Sequence, residues 1–184
     1  NWPTIQATAY NDAINRCKNQ VKWLAIIDTD EFLFPVEIDN LRTFLLDYED
    51  AAALSVNWQM YGTSFVKNIA PGHLLIEDLI YKAPREHFEN RHVKTIVRPE
   101  YVAVNGNPHF CELLPGFYQV NANNEPFCGP YTDVNIDKIR INHYWTRDEH
   151  FFYRIKLARR MKWRDMGCMQ RADSCNHEID TSIY

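Results

Sequence analysis

Three acids fall within four residues at Asp28-Thr29-Asp30-Glu31, directly after the apolar run Trp23-Leu24-Ala25-Ile26-Ile27. Carboxylates two positions apart on an extended segment point to the same side, so Asp28 and Asp30 can both reach one hard divalent cation, Mn²⁺ or Mg²⁺. A chain with 13 aspartates throws up a D-x-D readily by chance, so its place in the chain decides its weight. In open α/β sheets ligands bind beyond the carboxyl ends of strands, and these acids stand where an apolar strand runs out. The competing reading is a solvated acidic turn.

Other chemistries find less support. There is no G-x-G-x-x-G, G-x-x-x-x-G-K or G-x-S-x-G, which removes dinucleotide, P-loop and nucleophile-elbow readings. His87 and His92 lack the spacing of a helical zinc pair and read as surface residues. The five cysteines form no C-x-x-C pair and no cluster at zinc spacing. Cys168 and Cys175 are near enough in sequence for a disulfide, and equally suit a pair of reduced thiols.

The elements that must hold the acids can be read from periodicity. Residues 3–17 put Ala9, Tyr10, Ala13, Ile14 and Cys17 on one helical face, and the apolar strand 23–27 follows. A helix followed by a strand apolar throughout is the rhythm of an α/β sheet covered on both faces, with 23–27 as a central strand. Leu41, Phe44, Leu45 and Tyr48 mark a second helix with Asp39 as N-cap. Then Leu54, Val56, Trp58 and Met60 alternate with Ser55, Asn57, Gln59 and Tyr61, a strand with one polar face ending at Gly62. Leu75, Ile76, Leu79 and Ile80 suggest a short helix, and residues 93–97 another strand. Residues 105–135 read as loops around a strand at 117–120. A last strand carries Ile139, Ile141 and His143, and Thr146-x-x-Glu149 reads as a capping box opening a helix over 147–164.

The 184 residues are 46% hydrophobic and 24% charged, with a formal net charge of −4. That balance fits one soluble domain and argues against a general nucleic-acid or anionic-membrane binder. No apolar run approaches a membrane span. With no signal peptide, span or N-x-[ST] acceptor in these residues, the expected compartment is cytoplasmic, or the Golgi lumen for a fragment of a membrane-anchored enzyme.

The segment Trp23-Leu24-Ala25-Ile26-Ile27-Asp28-Thr29-Asp30-Glu31-Phe32-Leu33-Phe34-Pro35 resembles the W-x-x-x-I-D-x-D-E-F-x-x-P signature of GT-A fold glycosyltransferases of family 92 and their family-2-like relatives. The stretches from Ser55 to Ser64, from Lys94 to Pro99 and from Ile141 to Tyr144 resemble later blocks of the same family in the same order. The resemblance covers roughly residues 3–160. It implies a GT-A fold, Rossmann-like, with a mixed and mainly parallel sheet and flanking helices. It also implies that the first, base-binding βαβ region of the family is absent, so the chain is expected to be one partial domain over residues 1–184.

The resemblance further implies roles for matched positions. Asp28 and Asp30 would hold Mn²⁺ or Mg²⁺ against the diphosphate of a nucleotide-sugar donor, a UDP-sugar being expected, and the cation would offset charge building on the leaving group. A late histidine would complete the metal shell. His109 is preferred by its place after the 94–99 block, while His143 shares a strand face with Ile139 and Ile141 and reads as core. Ile76-Glu77-Asp78 resembles the x-E-D motif, making Asp78, with Glu77 beside it, the carboxylate that takes the acceptor proton in an inverting transfer. Trp58 and Tyr61 are candidates to stack on a glycan acceptor. The six basic residues between Arg154 and Arg164 read as a solvated helix face, with diphosphate contact the lesser reading. Two other functions compete: a haloacid-dehalogenase-like phosphatase, whose motif wants Thr or Val where Phe32 stands, and a glycosyltransferase-like module that binds without turnover.

Overall fold

The computed structural model describes residues 2–38 and 40–182. The strands, in chain order, are β1 (Leu24–Ala25), β2 (Glu31–Pro35), β3 (Ala53–Met60), β4 (Tyr81–Lys82), β5 (Val93–Val97), β6 (Val102–Val104), β7 (Glu112–Leu113), β8 (Gln119–Val120), β9 (Pro126–Phe127), β10 (Ile139–His143) and β11 (Glu178–Ile179). The chain divides into two compact units. The first holds the residues up to Asp28, Leu33–Trp58 and Asn90–Ile141; the second holds Thr29–Phe32, Gln59–Glu89 and the residues from Asn142 on. The polypeptide therefore passes from one unit to the other between Asp28 and Thr29, inside the D-x-D.

In the first unit the helix Trp2–Cys17 forms as its periodicity predicts. Its Tyr10 and Ile14 pack with Leu24, Ile26, Ala53, Val97, Val102 and Cys111. The sheet order is β1-β5-β3-β10-β2, with β8 beside the start of β3 and β9 beyond it. β5 pairs antiparallel with both β1 and β3, so that Val97 lies opposite Leu24 on one side and Ala53 on the other. β8 pairs with β9 antiparallel, and only its pairing with β3 is parallel among these. The mixed α/β class is as expected, but the sheet is mainly antiparallel where a mainly parallel one was expected. The segment 23–27 also differs from expectation: β1 is two residues long at an end of the strand order, and Ile26 is buried while Ile27 is exposed.

The physical reason lies in β3. All eight of its residues are buried, polar ones included. Asn57 donates from Nδ2 to the Asn90 carbonyl (3.0 Å) and accepts from the Asn135 amide (3.2 Å). A polar face satisfied by backbone loops buries as completely as an apolar one, and burial does not reveal strand direction. The second helix starts where predicted, at Leu41–Phe44, continued by a 3₁₀ turn Leu45–Tyr48. Its N-cap is Asn40, whose side chain accepts from the amides of Arg42 and Thr43; the expected cap, Asp39, lies outside the described residues.

In the second unit Tyr61, Leu79 and Tyr144 form the core, with Val66, Ile69 and Leu75 against them. β4 pairs antiparallel with β11, and Tyr61 bridges to Lys82. Gly62 follows β3 at a point where a side chain would collide with Asn176 and the Cys175 backbone. Asn176 uses that proximity to accept from the Ser64 amide (2.7 Å) and donate to Thr63 Oγ1 (3.1 Å). The long helix runs over 149–162, with a π-helical turn at Phe152–Leu157. Its cap is Asp148 rather than Thr146: Asp148 Oδ1 accepts from the Phe151 amide (2.8 Å), while the Thr146 hydroxyl turns to the Tyr61 carbonyl. The segment Glu31–Pro35, to which the periodicity assigned no element of its own, is β2. A further helix, Cys168–Ser174, carried no clear periodicity in the sequence. All five cysteines are free thiols, which decides the question left open for Cys168 and Cys175.

Candidate active site

The first unit builds its site around Asp28. Lys94 Nζ lies 2.8 Å from Asp28 Oδ2, with the lysine side chain 1% exposed and the aspartate 38%. The Tyr10 hydroxyl donates to Asp28 Oδ1 (3.1 Å), and Gln6 Nε2 reaches the same oxygen at 3.5 Å. The initial helix thus fixes one carboxylate oxygen and β5 the other. On β5, Lys94 lies opposite Val56, so it shares a sheet face with Trp58 and His92.

His109 belongs to the same neighbourhood. Its Nδ1 lies 3.0 Å from the Val93 carbonyl, which can only accept, so the proton is on Nδ1 and Nε2 carries the lone pair. Its amide donates to Asn107 Oδ1 and its carbonyl accepts from Thr95 Oγ1 (2.7 Å), so ring and backbone are both anchored. Burial drives its pKa down to about 4, helped by the nearby charge of Lys94 and opposed by the Val93 hydrogen bond and Asp28. A neutral imidazole with a free lone pair is the form that binds metals. Trp58 is buried, stacked on His92 (4.7 Å) and edge-on to His109 (5.1 Å), and Tyr131 closes on His92 (4.5 Å). Trp58 therefore packs against imidazoles and has almost no face for a sugar. His92, read as a surface residue, is half-buried within this cluster.

The second unit holds Asp30. Its carbonyl accepts from the Tyr144 amide (2.9 Å), which fixes the segment before β2. Lys156 Nζ lies 3.2 Å from Asp30 Oδ2, the lysine 8% and the aspartate 21% exposed, and His143 Nε2 is 3.8 Å from Oδ1. Burial lowers the pKa of Lys156, and the Asp30 charge opposes that shift. Lys156 sits in the π-helical turn, a distortion that often accompanies functional sites. His143 is buried, as its strand face predicts, and yet it stands beside a D-x-D carboxylate.

Glu77 and Asp78 close the short helix Leu75–Asp78. Glu77 Oε2 accepts from the Leu74 amide (3.1 Å), a capping role. Asp78 Oδ1 is 3.1 Å from His73 Nδ1, and that carboxylate raises the histidine pKa. His73 lines a groove of about 510 Å³ with Phe32, Ile69, Leu74 and Arg147. Tyr61 is fully buried, stacked on Tyr144 at 4.5 Å, and its hydroxyl donates to the Asp180 carboxylate. It has no open face for an acceptor.

Among the described residues no three His, Cys, Asp or Glu side chains gather into one metal-holding group. The structure pairs Asp28 with Lys94 and the neighbourhood of His109, and Asp30 with Lys156 and His143. Sequence reasoning passed over Lys94 and Lys156. A lysine inside Val93-Lys94-Thr95-Ile96-Val97 was the available signal, since an unpaired charge is not carried into so apolar a strand. Lys156 carried none, being one of six basic residues on a helix that reads as solvated.

Asp28 and Asp30 each carry a lysine partner, one acid in each unit. The chain matches glycosyltransferase family 92 over residues 3–176, and it belongs to that family. It is therefore a glycosyltransferase, with a sugar donor and an acceptor as its partners. Among curated proteins, none matches the chain. No helix of the described residues is long and apolar enough to cross a membrane.

Proposed function

We propose that this glycosyltransferase works on a GT-A fold, takes its sugar from a nucleotide-sugar donor, a UDP-sugar first, and needs Mn²⁺ or Mg²⁺ for an inverting transfer. The observation that carries the reading is His109: a neutral imidazole, proton on Nδ1 and lone pair on Nε2, in the neighbourhood of Asp28. Oxygen donors from Asp28 and Asp30 with one imidazole nitrogen suit a hard or borderline divalent cation. These are the residues that would hold the ion, and His143 beside Asp30 is the other candidate imidazole. The cation would supply charge stabilisation on the departing diphosphate.

The chain's own residues do the rest. Lys94 and Lys156 hold the two carboxylates at fixed positions and reduce the net negative charge a diphosphate would meet. Tyr10 and Gln6 orient the outer oxygen of Asp28. Asp78 belongs to the acceptor side, where the hydroxyl proton must be removed.

Asp30→Asn keeps the shape of the side chain and removes its charge. It should weaken Mn²⁺ binding, read by calorimetry or by the manganese spin-resonance signal, and suppress Mn²⁺-dependent nucleotide release from UDP-sugars by two orders of magnitude or more. Undiminished turnover in excess chelator would refute metal dependence.

A further inference from the structure

The groove in the second unit has one side chain that combines exposure, a fixed tautomer and an acidic partner, and it is His73. Its ring is 58% exposed. Its Nδ1 faces Asp78 Oδ1 at 3.1 Å. Hydrogen-bonded to an ionised carboxylate, Nδ1 carries the proton, so Nε2 is a base. This is the logic by which an acid orients a histidine in hydrolases: the carboxylate sets the tautomer and stabilises the imidazolium that forms.

The surroundings suit a sugar acceptor. Phe32, Ile69, Leu74 and Ile76 give the groove an apolar wall, and Phe32 stands two residues after Asp30 in the same unit. Asp148 also lines it, but its two oxygens accept from the amides of Phe151 and Ile69. Arg147 lines the groove with φ at 55°, a left-handed conformation that costs a non-glycine residue energy and tends to be kept where function needs it. Its guanidinium lies over the Phe151 ring at 4.5 Å.

We propose that His73 is the catalytic base of the transfer, acting on an acceptor hydroxyl bound in this groove, and that Asp78 is its positioning residue. The inference rests on the nucleotide-sugar reading above and changes the role of Asp78 within it. The acceptor O–H bond breaks and its proton goes to His73 Nε2. The oxygen's electron pair forms the bond to the anomeric carbon, whose bond to the donor diphosphate breaks, with that pair leaving on the diphosphate. An acceptor sugar can lay a C–H face on Phe32 while one hydroxyl meets His73. The charged groups around His73 are Asp78 and Glu77 on its own segment, with Arg147 and Asp148 also lining the groove. Asp78 raises the histidine pKa first by its hydrogen bond and then by its charge.

The test uses the whole chain with Mn²⁺, a panel of UDP- and GDP-sugars, and p-nitrophenyl glycosides as acceptors, reading nucleotide release and glycoside product. His73→Gln should melt with the unchanged protein, because the ring is exposed, and should lose about 10²- to 10³-fold in kcat with donor KM unmoved. Asp78→Asn should lose less, about tenfold, and should move the acid limb of the kcat profile to lower pH. A purely structural Asp78 would leave that limb in place. If His73→Gln transfers within threefold of the unchanged protein while Asp78→Asn is dead, Asp78 is itself the base and the inference falls, with the transferase reading intact. If the unchanged protein releases no nucleotide with any pair, the nucleotide-sugar reading falls and takes this inference with it.

Discussion

Lys94 places its ammonium 2.8 Å from the Asp28 carboxylate while almost wholly buried, so an aspartate proposed to serve a substrate also holds a charge inside the sheet. Breaking such a pair from the acid side leaves a buried ammonium short of a counter-charge, which costs several kcal/mol in a dry site. Asp28 is partly open to water, which reduces the loss. Asp28→Ala is expected to lower stability by about 1–3 kcal/mol in urea unfolding, and adding Lys94→Met should recover most of it. The Lys94→Met single variant closes the cycle, and a double-variant loss equal to the sum of the two single losses would show that the pair is not coupled.

The two histidines beside the D-x-D separate by substitution. His143→Ala removes a buried strand side chain and should cost on the order of 1–3 kcal/mol of unfolding free energy. His109→Ala should instead reduce Mn²⁺ affinity more than stability. Calorimetric titration of both variants with Mn²⁺ checks this, and a loss of affinity confined to the His143 variant would assign the imidazole ligand there.

Tyr48 gives the fold an alkaline limit. Its hydroxyl is buried and donates to the Ala122 carbonyl at 2.8 Å. Burial, with Asp47 and Glu37 nearby, pushes its pKa up to about 12 from an ordinary 10. A folded pKa above the unfolded one means the folded state keeps its proton longer. The contribution is whole below pH 10 and is lost as pH rises from 10 to 12, by roughly 2–3 kcal/mol. Tyr48→Phe should flatten stability over that window at a cost of about 1 kcal/mol at neutral pH.

Thiol labelling should follow burial. Cys128 is exposed, whereas Cys175 is buried and its pKa is pushed up to about 12. Alkylation with iodoacetamide at pH 8 followed by peptide mass mapping is expected to find Cys128 modified first. Cys175 should react only once the chain is unfolded. Early labelling of Cys175 would mean that the Cys168–Ser174 helix opens readily.

The sequence alone determined some of the local elements, though not the helix Cys168–Ser174 or the strand Glu31–Pro35. Period-two alternation from Leu54 to Tyr61 placed β3, and the apolar 93–97 run placed β5, because side-chain parity along a strand depends on nothing beyond neighbours. The D-x-D-E-F-x-x-P segment likewise carried the family, since its residues are contiguous. Caps were less legible: Thr146 and Asp148 both fit, and the Tyr61 carbonyl claims the Thr146 hydroxyl across 85 positions of chain. Strand order and direction were decided by tertiary structure, because buried polar side chains such as Asn57 and Gln59 are satisfied by backbone groups distant in sequence. The same holds for the partners of the acids. Lys94 lies 66 positions from Asp28 and Lys156 lies 126 from Asp30. No periodicity records such pairs, because they form only where the folded chain removes water from both charges at once.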